Sequence, residues 1–521
     1  MDIRIGLSVI GPYLLGGFAA LLIVLGLVFA LRARLTAWLV ALSPESEFRD
    51  IIARLALIVA LSITCLLASL EILASLGFFA GASANALEFA LAAFVSAMGV
   101  ALAARHYFKV RWVSVALAIL IFTSASFVLL LGVAGSFYDA SWDGNSTHQV
   151  ATVELAQGWN PVHNPSVHNR TGEWQAIEYF SKGAWIRNAV VYRLSGRLEQ
   201  AKANNLLLVL ASLAAWLALL LAIAPRRPRA AVLGSLLIAL NPISVQQSFT
   251  FLVDGQVSSL MVLVVAYAGL LFTSLGQWPA LLALGAALAM LATVKFTGLV
   301  FAVLLSAGVA LAVMIRRRTL AWRPILVYLV AALAVGILVT GFNPYVVNTA
   351  RYGSPFYPLV GAKSVDIIST LEPPNFVGKS NLERLALSLF SRSADFGTAT
   401  HLKVPFSVAP SEIRPYLGFQ TPVAGFGPWF GGALLVAVLL VVLLLADPRY
   451  RSDRRVQWAL YAVAVILVSA LANPEAWWAR YSPQLWLVPT IVGLASVLGG
   501  PRKWQRTLGW ALCTVLLFDA V

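Results

Sequence analysis

A few charged side chains stand where this chain, mostly apolar, can least easily carry them. Asp139 and Asp143 follow directly on an apolar run ending near 134. A carboxylate at such a mouth accepts a proton from a hydroxyl or holds a divalent cation. The same Asp143-Gly144 pair also makes an ordinary turn, and in a helical segment the four-residue spacing places both acids on one face. Asp254, flanked by Gln246, Gln247 and Gln256, is either an acid for chemistry or the cap of the helix it precedes. Lys295, in Thr293-Val294-Lys295-Phe296-Thr297-Gly298, is the one charged residue between Asp254 and Arg316. It serves as a point charge for a phosphate or as a snorkelling side chain. Arg480 lies in the short turn Asn473–Tyr481, against the usual bias of basic residues to the cytoplasmic side. Its fork of donors suits a phosphate, with Glu475 as the local alternative partner and the Trp477-Trp478 pair suited to an interfacial aromatic belt. His148, His163 and His168 share a loop with the two early acids, but their spacing matches no strong metal-ligand pattern.

The elements that position these groups follow from composition. The chain has 521 residues, 60% hydrophobic and 11% charged, with mean hydropathy +0.84. A soluble domain carries roughly 25% charged residues. An all-α integral membrane protein is expected, a single polytopic domain over 1–521. A crossing needs about 20 apolar residues, which places about 14 spans near 9–30, 55–78, 86–104, 113–134, 205–224, 230–249, 256–273, 279–294, 296–315, 324–341, 429–446, 457–472, 483–499 and 508–521. Alternating them puts the basic clusters 32–54, 105–111, 226–229, 316–323, 449–455 and 502–506 on one side, the cytoplasmic side by the positive-inside rule. The net charge of +15 is thereby a topology signal, and a nucleic-acid partner is not needed to explain it. The N-terminus reads as an uncleaved first span starting outside.

Two long loops, 135–204 and 342–428, fall on the outer side with the charged groups above. In the first, 146–157 and 174–200 are expected to be helical. Trp174, Ile177, Phe180, Trp185 and Tyr192 beside Lys182, Arg187 and Arg193 suggest helices lying in the interface. The second loop opens on Asn343-Pro344-Tyr345, is dense in Pro and Gly, and is expected to be ordered by packing on the rest. Cys65 and Cys513 sit inside apolar runs, which excludes a disulfide framework.

The first loop carries Tyr138-Asp139, Asp143-Gly144, His148-Gln149 and Gly158-Trp159-Asn160-Pro161. With the later Asp254 and the Lys295-Phe296-Thr297-Gly298 element, this order resembles the GT-C membrane glycosyltransferases, a superfamily that includes lipid A aminoarabinose transferases and protein O-mannosyltransferases. The resemblance covers roughly 110–350, with a looser echo at 473–484. It implies transfer of a sugar from a polyprenyl-phosphate carrier to a glycan, lipid or protein acceptor at the outer face of a bacterial plasma membrane, with inversion. Asp143 takes the place of the first-loop catalytic acid, Asp139 competes for it, and Asp254 assists. Lys295, Arg480, Lys182 and His148 are the corresponding contacts for substrate or lipid phosphate. Many relatives have two adjacent acids here, whereas Gly144 follows Asp143, so the base and any divalent metal stay open. The rival readings are a transporter or flippase for a lipid-linked saccharide and a polysaccharide polymerase or ligase.

Overall fold

Inside hydrocarbon every backbone donor and acceptor must be satisfied within the segment, which favours helices. The computed structural model describes residues 48–168, 173–316, 321–361, 364, 371–499 and 502–520, and among them there is no β-strand. The apolar run at 9–30 lies outside the described residues.

The helices include, in chain order, α1 (Phe48–Phe79), α2 (Ala86–Tyr107), α3 (Trp112–Ala134), α4 (Gln149–Ala156), α5 (Gly183–Ser195), α6 (Ala203–Ile223), α7 (Pro228–Ala239), α8 (Asp254–Leu270), α9 (Gln277–Val294), α10 (Phe296–Ile315), α11 (Trp322–Val335), α12 (Phe430–Ala446), α13 (Arg454–Leu471), α14 (Leu487–Gly499) and α15 (Lys503–Ala520), with other short helices and turns between them. α1 is central and packs on α2, α6 and α9. α2 and α3 turn Leu87, Phe94, Met98, Leu117, Ile121 and Val128 outward, a continuous apolar surface that suits lipid rather than water.

Among the described residues, eight helices are long and apolar enough to cross a membrane: Phe48–Phe79, Ala86–Tyr107, Trp112–Ala134, Leu198–Ile223, Gln277–Val294, Phe296–Ile315, Trp322–Thr340 and Arg454–Leu471. The chain is therefore compatible with a multi-pass membrane protein, but a count of fourteen is not reached among the described residues. Pro228–Ala239, Asp254–Leu270, Phe430–Ala446 and Pro483–Gly499 are apolar yet shorter. At about 1.5 Å per residue they fall short of a hydrocarbon layer about 30 Å thick. α15, where a last span was expected, carries Lys503, Arg506 and Asp519.

Local chemistry explains the ends that matter here. Asn85 starts α2 by accepting from Leu87 N at 2.9 Å while Glu88 accepts from Asn85 N at 3.1 Å, a capping box. Between α9 and α10 a single residue, Lys295, is extended (φ −157°, ψ 154°). The two apolar helices then cross so closely that a Cβ on Gly298 would overlap the Leu291 carbonyl oxygen.

Two expectations about the outer elaborations need correction. α5 does not present the exposed apolar stripe expected of it: Gly183 through Val191 are all buried, against α1, α2, α4 and α9. Trp477 and Trp478 are 1% and 0% exposed and form no lipid-facing belt, because the second loop covers them. Phe376 meets Trp477 edge-on at 5.2 Å, and Ser388 Oγ donates to the Trp477 carbonyl at 2.6 Å.

Candidate functional site

Asp254 is the first residue of α8 and is buried. The extended joint at Lys295 brings its Nζ to 2.5 Å from Asp254 Oδ1 and 3.9 Å from the centre of the Tyr481 ring. Arg480 comes from a tight turn, Ala479–Tyr481, between α13 and α14, braced by Asn473 Nδ2 donating to the Tyr481 carbonyl at 2.7 Å. Its guanidinium stacks on Trp478 at 4.2 Å. Arg480 Nη1 donates to Asp143 Oδ2 at 3.2 Å, and Nη2 donates to Tyr481 Oη at 3.2 Å. Nε lies 3.8 Å from Asp254 Oδ2, too far for a hydrogen bond, and among the described residues this buried donor has no hydrogen-bond partner. One guanidinium thus stands between two carboxylates, one buried and one with a side chain 38% exposed.

His148 completes the group. Trp185 Nε1 donates to His148 Nδ1 at 2.8 Å, so the neutral ring carries its proton on Nε2. Burial pushes the His148 pKa down to about 4; Asp143 and Asp254 oppose the shift, and Lys295 and Arg480 add to it. Arg480 shows the converse balance: burial disfavours its charge, but Tyr481, Asp254 and Asp143 outweigh that and hold its pKa above the ordinary value. The site therefore offers two fixed cations, a buried carboxylate, a neutral imidazole and one carboxylate open to solvent. Such a set binds an anion and accepts a proton beside it.

Asp139 and Lys182 are engaged elsewhere. Asp139 Oδ1 accepts from Ser141 N at 2.7 Å and Oδ2 from Phe251 N at 2.6 Å, so it ties the exit of α3 to the strip before α8. A Cβ at 144 would overlap Asp139 Oδ2 and Ser141 Oγ, which is why glycine follows Asp143. Lys182 Nζ donates to the carbonyls of Glu178 and Phe180 and to Asn343 Oδ1, at 2.9, 2.8 and 2.8 Å, and pins the first loop to the second. Burial lowers its pKa well below the ordinary lysine value, with Glu178 opposing.

The supporting groups were not apparent from spacing. Arg187 on α5 pairs with Glu71 on α1, both buried. Arg187 Nη2 donates to Gln256 Oε1 at 2.6 Å, and Gln256 Nε2 donates to Asn205 Oδ1 at 2.7 Å. Thr293 donates to Glu71 Oε1. Gln256 is two residues after Asp254 and Thr293 two before Lys295, so this network holds the helix ends that present both. Glu71 was detectable as the only acid between Asp50 and Glu88, since an acid in an apolar run marks a paired group.

The donors do not suit a divalent cation. Asp143 and Asp254 each face a side-chain cation, His163 Nε2 lies 3.1 Å from the Phe79 carbonyl and His168 pairs with Glu154. Among the described residues no group of three His, Cys, Asp or Glu side chains is placed to hold a metal.

Comparison with family models, curated proteins and solved structures returned no match to this chain.

Proposed function

We propose that this chain is a membrane glycosyltransferase, moving a sugar from a polyprenyl-phosphate carrier to an acceptor hydroxyl or amine at the outer end of its helices. The observation that carries the reading is Arg480, set between half-buried Asp143 and buried Asp254, with an unused Nε donor and Lys295 alongside. An incoming phosphate competes with Asp143 for the guanidinium. Its oxygens take Arg480 and Lys295 as counter-charges, and Asp143 is released to accept the acceptor's proton. As the bond to the anomeric carbon forms on one face, the bond to the phosphate oxygen breaks on the other, with inversion. Charge develops on the departing lipid phosphate, where fixed cations in a site of low dielectric contribute a factor of roughly 10² to 10³. Asp254 orients Lys295 and Arg480 without touching the reacting atoms. His148, neutral, can donate from Nε2 to a sugar hydroxyl.

Transport of the same lipid-linked saccharide is the second reading, and the Glu71–Arg187 pair inside the helix layer favours it. That pair is closed, however, with both side chains at most 1% exposed and bonded to Gln256 and Thr293. The two readings separate in a strain lacking this chain. Transfer predicts loss of one envelope glycan with its lipid-linked donor accumulating at the outer leaflet; accumulation at the inner leaflet overturns it in favour of transport.

A further inference from the structure

At the opposite end of the helices lies a cavity of about 320 Å³, within the range of small-molecule sites (roughly 300–1,000 Å³). Lys295 and Arg316 bracket α10, and about 20 residues at 1.5 Å each separate the candidate site from this cavity by about 30 Å. Trp216 on α6, Ala268 on α8, Leu305 on α10, Ala462 on α13 and Ala495 on α14 line its walls. Phe272 and Trp458 stack at 5.3 Å near the rim, and the Arg316 guanidinium lies 5.5 and 5.2 Å from their centres. Arg454 and Arg455 are at the rim and exposed. The carboxylate next to them, Asp453, accepts from the Arg455 backbone N at 2.8 Å as the cap of α13.

An apolar cleft does not hold water well, and one between apolar helices of this kind suits an acyl chain. Basic pockets between helices on the cytoplasmic side select anionic headgroups. We infer that this cleft binds an anionic phospholipid from the leaflet at the basic end, its acyl chain between α8, α10, α13 and α14 and its phosphate against Arg454 and Arg455. The inference is independent of the glycosyltransferase reading, since none of the outer-site residues contributes to it.

Native mass spectrometry of the full chain, titrated in detergent with phosphatidylglycerol or phosphatidylcholine of the same acyl chains, tests it. Wild type is expected to hold phosphatidylglycerol at least tenfold more tightly. The double variant Arg454→Gln/Arg455→Gln is expected to lose that preference, roughly tenfold or more for two cations near a leaflet surface, while still holding phosphatidylcholine. Ala462→Trp, which fills the cleft from α13, is expected to lose both lipids. Equal affinity of wild type for the two headgroups overturns the inference, as does a double variant that binds like wild type. A wild type that retains no lipid overturns it too, and is the result expected if a second copy of the chain covers the cleft.

Discussion

Asp143→Asn separates chemistry from stability more cleanly than any other change in the candidate site. The substitution keeps the side-chain volume and leaves one oxygen for Arg480, removing only the charge and the proton acceptor. The pair it weakens is 3.2 Å long, with the Asp143 side chain 38% exposed, so its loss costs about 1 kcal/mol or less. In a chain this large that shifts an apparent Tm by no more than about 2 °C. Asp254→Asn is the control in the other direction. Asp254 is 2% exposed and within 2.5 Å of Lys295, and breaking a buried pair costs about 3–5 kcal/mol. The activity prediction inverts that order of damage. On the proposed reading, with Asp143 as the base, the transfer is expected to fall about 10²- to 10⁴-fold, equivalent to about 3–5 kcal/mol of barrier. The assay is paired: thermal unfolding of both variants in detergent, followed by tryptophan fluorescence, and envelope glycan profiles in a knockout strain at equal membrane expression. Full rescue of the glycan by Asp143→Asn refutes its role as base. A stability loss equal to that of Asp254→Asn refutes the geometric argument that it is the open carboxylate of the pair.

The supporting structure is expected to respond in its own way. Gly144→Ala drives a methyl into Ser141 Oγ and into Asp139 Oδ2, the latter held by the Phe251 backbone N–H, and should cost about 1–3 kcal/mol, seen as a lowered apparent Tm. Arg187→Leu strands Glu71 inside the helices and should cost about 3–5 kcal/mol, whereas Arg187→Leu/Glu71→Leu should recover much of it; a double variant no better than the single would show that the pair is not what Glu71 needs. The His148 pKa is lowered from 6.5 to about 4, so between these values the unfolded chain binds the proton more readily. Its contribution to stability is present above pH 6.5 and is lost as pH falls from 6.5 toward 4, by about 1.4 kcal/mol per unit at most. Apparent Tm measured against pH should therefore fall less steeply in His148→Gln than in wild type across that window.

Composition and periodicity by themselves determined that this chain is helical and apolar enough for repeated passage through a membrane, because hydrocarbon imposes its requirement on each segment separately. They also marked Asp143, Asp254, Lys295 and Arg480 one at a time, since a charge in an apolar surrounding is conspicuous wherever it pairs. Which charges share a partner was decided only by packing. Asp143 and Arg480 are 337 positions apart, and no local signal distinguishes Asp143 at the site from Asp139, four residues away and committed to the Phe251 backbone. The same holds for Lys182 and α5: their basic and aromatic spacing is that of an interfacial helix, but α1, α2 and α9 leave room beneath the loop and bury it. Glu71 and Arg187 become a pair for that reason. Local sequence sets the free-energy cost of placing a charge in an apolar segment, while the partner that offsets the cost comes from whichever helix end the tertiary fold brings within a few ångströms.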